Sequence, residues 1–222
     1  TRKGHKSVVI TSDNDDTSKE FKNSSISFSK ENVKIVMIKT VKYVTSKSLK
    51  RVLSWFDFEL NLFRLDKKFL PNPDVVIISS LSLLTILNGI YLKKKYGCKL
   101  VFEVRDIWPL TLVELGGYSN YNPLIMILAL IEKIGYKKSD VIVGTMPNLS
   151  AHVKKILGYS KPVHCIPMGV SKSMLENRAN ETPRYIKKHL KTDDFNIVYA
   201  GTFGMTNSLD TFFEAAKMLE NH

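Results

Sequence analysis

The sequence predicts an α/β fold, a parallel sheet with helices on both faces, followed by the start of a second unit of the same kind. Three observations carry this prediction. Short apolar runs alternate with helical patterns along residues 71–167, and consecutive parallel strands need a helix between them. The run at 75–80 is continuously apolar, which is typical of a central strand buried on both faces. A polar stretch at 171–194 then separates this region from a new strand and helix.

The first third contains two predicted strands and one predicted helix. The strands are residues 7–11 and 33–39, and the polar segment 12–23 is predicted to be a loop. Its three aspartates do not predict a calcium site, because the loop spacing and the closing glutamate are absent. Apolar residues recur every three or four positions over 48–66, which predicts a helix. Its apolar face is wide and basic residues flank it, so both a core helix and an interfacial helix on an anionic membrane fit the pattern.

From residue 71 onward, strands and helices alternate regularly. The predicted strands are 75–80, 99–104, 140–145, 162–167 and 195–200, and the predicted helices are 81–95, 109–115, 122–137, 147–157, 183–190 and 207–221. Pro123 in the first turn of its helix, and Gly97 and Gly158 at helix ends, support these boundaries. The predicted organisation is a first domain at 1–170, a linker at 171–194 and the start of a second domain at 195–222.

Charge and hydropathy restrict the partners. The net charge is +12, and residues 1–70 contribute +7 of it through 15 Lys/Arg and 8 Asp/Glu. A basic surface suits anionic lipid, phosphorylated substrates or nucleic acid, and it is also common on a solvated face without a specific partner. Nucleic acid is disfavoured, because no basic stripe interleaved with aromatic residues appears outside 48–66. No apolar run approaches the roughly 20 residues that span a bilayer, and the sequence predicts no signal peptide, so a cytoplasmic protein is expected.

The cysteines and histidines predict neither a disulfide framework nor a metal site. Cys98 and Cys165 lie in apolar runs and are predicted to be small buried residues. His164 is predicted to lie in the core, and His152 is predicted to be exposed on a helix. Metal-ligand spacing is absent, so no metal is expected.

The segment Arg105-Asp-Ile-Trp-Pro109 directly follows a predicted strand. Charged and aromatic residues just past the carboxyl end of a strand mark the place where open α/β sheets bind ligands. Asp106 could bind a hydroxyl or act as a general base, and Arg105 could hold a phosphate. Structural roles remain open as well: Asp106 as the cap of the next helix, Arg105 in a pair with a nearby glutamate, and Trp108 in the core.

The turn Gly201-Thr-Phe-Gly204 lies between a predicted strand and a predicted helix. Glycines let a backbone approach an anion closely, and a helix N-terminus offers unpaired N–H groups. The turn is neither a dinucleotide fingerprint nor a Walker sequence. A phosphate cradle and an ordinary strand-to-helix turn are therefore both open.

Five segments, in order, resemble glycosyltransferase family 4, in the branch that builds bacterial surface polysaccharides with amino or deoxy-amino sugars. The most specific is Arg105-Asp-Ile-Trp-Pro109 followed by Glu114-Leu-Gly116, and Ile166-Pro-Met-Gly-Val170 resembles the family's Ile-Pro-Asn-Gly-Val with Met168 in place of Asn. The remaining segments are 73–80, 139–143, and 199–204 with Leu209 and Asp210.

This resemblance implies a GT-B enzyme, in which two Rossmann-like domains face each other across a cleft. The first domain would bind the acceptor and the second a nucleotide sugar, which is a substrate, and transfer would retain the anomeric configuration without a metal or other cofactor. In this branch the acceptor is often a polyprenyl-diphosphate-linked sugar at the inner face of the plasma membrane. Capsule, O-antigen or exopolysaccharide synthesis, and a peripheral position on an anionic membrane, are therefore expected.

The resemblance also assigns roles to residues. Asp106 is expected to be catalytic; Arg105, Trp108, Ser79 and Ser80 are expected to bind the acceptor; and Gly201, Thr202, Phe203, Gly204 and Asn207 are expected to bind the donor phosphate. The family's first glycine-rich loop and most of its donor site have no counterpart in the sequence. The chain is therefore expected to be a fragment without transferase activity of its own. A nucleotide-sugar epimerase of the same architecture and a non-catalytic, basic, membrane-binding module are the rival interpretations.

Overall fold

A computed structural model describes residues 4–13, 25–30, 33–43, 49–65, 71–80, 82–172, 176, 188–190, 196–204 and 207–219, with the backbone alone at 25–30, 49, 51 and 52. The chain divides into two compact units. One contains residues 1–113 and 118–167, and the other contains 114–117 and 168–222.

Most of the described elements belong to the first unit. Its strands are β1 (Ser7–Ser12), β2 (Ser25–Lys30), β3 (Val33–Ile38), β4 (Val75–Ser79), β5 (Lys99–Val104), β6 (Val141–Gly144) and β7 (Val163–Cys165). The helices are α1 (Leu49–Arg64), α2 (Thr85–Tyr96), α3 (Leu110–Glu114), α4 (Pro123–Lys138) and α5 (Leu149–Leu157), followed in the second unit by α6 (Leu209–Leu219).

The first sheet has the order β1-β3-β2. β1 runs parallel to β3, whereas β2 is antiparallel to β3. The sequence analysis did not predict β2, because its serines alternate with only two apolar residues and give no continuous hydrophobic signal. The buried carboxylate of Asp13 accepts a hydrogen bond from the Thr40 N–H at 2.9 Å and pairs with Lys42 at 3.1 Å, which ties the end of β1 to the chain after β3.

The second sheet has the order β4-β5-β6-β7, and all of its strands are parallel. Helices flank it, so the predicted α/β class with parallel sheets is confirmed. The prediction of 75–80 as a central strand is wrong for the described sheet, where β4 is an edge strand. Ile77 is accordingly 66% exposed.

The core lies between this sheet and helices α2, α4 and α5. Glycines let the helices approach closely: a Cβ at Gly89 would lie 2.5 Å from Ile78 Cγ1, and one at Gly135 would lie 3.0 Å from Ile86 Cγ1. The buried hydrophobic residues of this core are Ile78, Leu83, Ile86, Leu100, Phe102, Val104, Ile131, Tyr136, Ile142, Leu149 and Val153.

Polar contacts fix the ends of these elements. Asn122 caps α4 by accepting from the Leu124 N–H at 2.9 Å, and Gly97 and Gly158 end α2 and α5 in the left-handed conformation. Asp140 accepts from the Leu100 N–H at 2.8 Å and pairs with Lys93 at 2.8 Å. The backbone hydrogen bond and the lysine lower the pKa of this carboxyl.

The predicted burial is correct for Cys98, but the predictions of burial or exposure for Cys165, His164 and His152 are wrong. Cys98 is buried, but Cys165 and His164 are exposed, because they belong to β7, the outer strand of its sheet. His152 is not exposed, since its Nε2 lies 2.8 Å from Oε1 of the buried Glu132. The helix pattern placed His152 on the solvent-facing side of α5. It lies instead against α4, because the buried Glu132 provides a partner that residue spacing does not reveal.

The second unit differs from its sequence prediction. Residues 196–200 do not form a strand in the described part of the chain, so that prediction is wrong. A strand needs a neighbouring ladder, and Ile197 and Val198 are instead exposed. Helix α6 begins at Leu209, two residues after the predicted start, and none of its described residues is buried. Most of the predicted linker at 171–194, including most of the helix at 183–190, lies outside the described residues.

Candidate functional site

The carboxyl ends of β4 and β5 bring two of the predicted site segments together. The Ser80 N–H donates to the Glu103 carbonyl at 2.9 Å, which extends the β4–β5 pairing by one residue. The Ser80 hydroxyl accepts from the Arg105 N–H, also at 2.9 Å. Ser80 is 1% exposed, so its hydroxyl is used inside the protein to hold the start of the Arg105–Asp106 turn.

Asp106 and Arg105 present their charges to solvent. Both residues are exposed, and neither side chain has a hydrogen bond or an ion pair within the described part of the chain. Arg105 does not pair with Glu103 or Glu114, and within the turn the Trp108 N–H donates to the backbone carbonyl of Asp106 at 3.1 Å. The cap and the ion pair that the sequence left open are therefore not formed among these residues.

Trp108 anchors the far side of the turn. Its ring is half-buried against the core and makes an edge contact with Trp55 of α1, with ring centroids 5.9 Å apart and an interplanar angle of 89°. The peptide bond between Trp108 and Pro109 is cis. The turn is thus held at its start by Ser80 and at its end by Trp108, while the carboxylate between them has no described partner.

Ser79 differs from its neighbour Ser80. Its hydroxyl oxygen is buried and makes no hydrogen bond among the described residues. A buried hydroxyl without a partner has an unmet hydrogen-bonding capacity worth about 1–3 kcal/mol. Ser79 therefore has a free polar group at the edge of the sheet where Asp106 lies.

Glu59 is a buried acid near this edge that the sequence analysis did not single out. Its carboxyl accepts from Thr85 Oγ1 and Asn88 Nδ2, each at 2.5 Å, which joins α1 to α2. Burial raises the pKa of Glu59, and the hydrogen bonds only partly oppose this shift. The available signal was a lone acid on the inward face of α1, between Trp55 and Leu62.

The Gly201–Gly204 turn is organised around one carbonyl. The Thr202 oxygen accepts from the Gly204 N–H at 2.9 Å, from Asn207 Nδ2 at 2.6 Å and from the Tyr199 hydroxyl at 3.2 Å. A Cβ at Gly201 would lie 2.5 Å from the Tyr199 hydroxyl oxygen, so a larger residue there would displace the end of the Tyr199 side chain. The Asn207 amide group thus orders the turn from within.

Phe203, one of the predicted donor-side residues, is 75% exposed. Its ring lies edge-on to Tyr199, with ring centroids 5.8 Å apart, and stacks on Phe213 of α6, with centroids 6.4 Å apart. The turn therefore carries an exposed aromatic face beside its backbone.

Two properties of the described residues bear on the type of site. No group of three or more His, Cys, Asp or Glu side chains within them is placed to hold a metal ion. Among the same residues, every helix is too short or too polar to cross a membrane.

Comparisons with known proteins agree with this architecture. The sequence profile of Glycosyltransferase Family 4 matches residues 1–173. Sucrose-phosphate synthase from Thermosynechococcus elongatus superposes with a TM-score of 0.67 at 14% sequence identity, over 99% of this chain and 51% of that chain. A variant of SsGBP aligns at 13% identity over 68% of this chain and 54% of that chain, but its TM-score of 0.20 does not indicate a shared fold.

The chain thus spans about half the length of the solved structures that it matches. Among curated proteins, none matches its sequence. At 14% identity the likeness to the synthase shows the fold alone, a GT-B glycosyltransferase domain, whereas the profile covers most of the chain. The chain belongs to glycosyltransferase family 4.

Proposed function

We propose that this protein is a retaining glycosyltransferase that moves a hexosyl or N-acetylhexosaminyl group from a nucleotide sugar to a polyprenyl-diphosphate-linked acceptor. The product would enter capsule, O-antigen or exopolysaccharide synthesis. The observation that supports this most is Asp106, an exposed carboxylate without a described partner on a turn anchored at both sides. Such an arrangement favours a side chain whose partner is a substrate.

Asp106 would hold or deprotonate the attacking hydroxyl of the acceptor. The hydroxyl oxygen then bonds to the anomeric carbon of the donor, and the bond from that carbon to the nucleoside diphosphate breaks. Arg105, one residue before, would bind the acceptor diphosphate, since a guanidinium matches phosphate oxygens in a bidentate manner. The accessible part of the Trp108 ring would contact the acceptor sugar, and the Ser79 hydroxyl, which is buried without a described partner, would do so after a local movement that exposes it.

The donor phosphate is proposed to bind at residues 201–204 and Asn207. Backbone N–H groups of this exposed turn, close before the N-terminus of α6, suit an anion. The leaving diphosphate would be stabilised by such groups without a metal ion. No cofactor is proposed, and the nucleotide sugar is a substrate.

A lipid-linked acceptor would require the protein to work at a membrane. The net charge of +12, with +7 in the first 70 residues, supports contact with an anionic surface. We therefore place the protein in the cytoplasm, peripheral to the inner face of the plasma membrane.

The test is transfer by the full-length protein, measured with a panel of nucleotide sugars and a polyprenyl-diphosphate-linked sugar. We expect Asp106→Asn to lower the rate of transfer by about 100- to 10,000-fold, the range for positioning and acid–base groups. Asp74→Asn is the control, since Asp74 is an exposed acid just before β4, at the opposite end of that strand.

Other outcomes would replace the proposal. Release of an epimerised nucleotide sugar would identify an epimerase. If Asp106→Asn stays nearly as active as the parent but melts at a clearly lower temperature, Asp106 has a structural role.

A further inference from the structure

Helix α1 presents a second apolar face, directed away from the core. Its inward side carries the buried Ser54, Glu59 and Leu62, whereas four large apolar residues at intervals of three, four and three positions are exposed on the other side. Leu87 and Tyr91 on α2 are exposed as well, and the rings of Phe63 and Tyr91 touch with centroids 5.5 Å apart. We call this surface the apolar patch, defined by Leu53, Phe56, Leu60, Phe63, Leu87 and Tyr91.

On the described parts of α1 and α2, the exposed charged residues are all basic. Four exposed basic residues lie on the same two helices, namely Lys50, Arg64, Lys94 and Lys95. The acids described on α1 are engaged elsewhere: Asp57 accepts from the Val41 N–H at 2.9 Å, and Glu59 is buried against α2. The sequence of α2 contains no acid.

Lys95 connects the charge to the patch. Its Nζ lies 3.2 Å from the Tyr91 hydroxyl and 5.2 Å from the centroid of the same ring. A cation is therefore held at the rim of an aromatic and aliphatic surface. This combination suits the interface of a bilayer, where apolar side chains enter the acyl boundary and lysines meet anionic headgroups.

We propose that the apolar patch docks on an anionic lipid bilayer. Docking through this patch would hold the enzyme at the membrane where its lipid-linked acceptor lies. Only this biological role of docking rests on the proposed function. Vesicle binding is measured without any transfer reaction, so the two proposals can fail separately. The exposed basic residues described on α1 and α2 favour anionic lipid over a second copy of the same basic chain.

The experiment measures partition of the full-length protein onto vesicles of phosphatidylcholine, with and without phosphatidylglycerol. We expect binding only to the anionic vesicles. Leu60→Ser should weaken it by about tenfold. The matched control is Leu130→Ser on α4, because Leu130 is 58% exposed and Leu60 is 54% exposed.

A second pair of variants tests the charge. Lys94→Gln should weaken binding by about fivefold at low salt and have little effect at high salt, and Lys137→Gln on α4 is its control. Equal binding to both vesicle types, or equal effects of Leu60→Ser and Leu130→Ser, would overturn the proposal. So would a parent dimer that Leu60→Ser converts to a monomer, because the patch would then bind a second copy of the chain.

Discussion

Two adjacent serines at the end of β4 have different surroundings. The Ser80 hydroxyl accepts from the Arg105 N–H at 2.9 Å, whereas the Ser79 hydroxyl has no hydrogen bond among the described residues. Side chains of successive strand residues point to opposite faces. One serine therefore holds the turn that carries Asp106, while the hydroxyl of the other is buried without a described partner.

This difference gives a prediction that needs no assay of activity. Ser80→Ala removes the acceptor for the Arg105 N–H, and a hydrogen bond of this kind contributes about 0.5–1.5 kcal/mol. Hydrogen exchange of the Arg105 amide should therefore become about 2- to 12-fold faster. Ser79→Ala is the matched control and should leave this amide unchanged. Equal exchange rates in the two variants would show that Ser80 does not hold the turn.

The place of Arg105 and Asp106 past the carboxyl end of β5 was predictable from the sequence, but the contacts that support their turn were not. The rule that ligands bind past the carboxyl ends of parallel strands was enough to select Arg105 and Asp106. The hydrogen bond between Ser80 and Arg105 joins residues 25 positions apart, and the contact between Trp55 and Trp108 joins residues 53 positions apart. Such contacts depend on register and helix placement, which local patterns do not specify.

At the level of elements, Glu59 links α1 to α2 through a buried carboxyl. Thr85 and Asn88 donate to its two oxygens, so both helices are fixed by a group that resists ionisation. Burial raises the pKa of Glu59 above its ordinary value of 4.5. The folded state therefore binds this proton more tightly than the unfolded state does, and Glu59 favours folding below the unfolded pKa.

That stabilising contribution is lost as the pH rises through the pKa of the folded state. Glu59→Gln has no proton to lose, so the unfolding free energy of the parent minus that of the variant should decrease as the pH rises from below 4.5 towards neutrality. Urea unfolding of both proteins at several pH values measures this difference. Asp74→Asn, at an exposed acid, controls for general charge effects. A difference that stays constant or grows with pH would contradict the sign of the shift.

The elements with strong local signals were predicted well. The helices at 122–137 and 147–157 have a proline start or a glycine end, and the structure places α4 and α5 there. The failures depend on partners instead. β2 pairs with β3 despite its serines, and residues 196–200 are not a strand although their sequence is apolar. A strand is defined by its neighbour, and a single sequence does not show which neighbour is present.

At the level of the whole molecule, the buried residues are unevenly distributed. Every buried hydrophobic residue described lies between Val36 and Val153, within the first unit. In the second unit, α6 has no buried residue, and its Phe213 and Met218 are exposed. Burial of apolar surface is the main favourable contribution to folding, so the first unit should account for most of the stability of the chain.

We therefore predict that a chain ending at Lys172 unfolds cooperatively, with a melting temperature within about 4 °C of that of residues 1–222, a shift that corresponds to about 1 kcal/mol. In the longer chain, amides of α6 should exchange much faster than those of α4, because local stability follows buried apolar contact. Thermal unfolding followed by circular dichroism, together with hydrogen exchange of the longer chain, measures both quantities. Ile86→Ala is the control, because Ile86 is fully buried in the first unit, which both chains contain. It should lower the melting temperature of both chains equally. A broad, non-cooperative transition in the shorter chain would contradict the prediction, because it would mean that residues 173–222 contribute to the stability of the first unit.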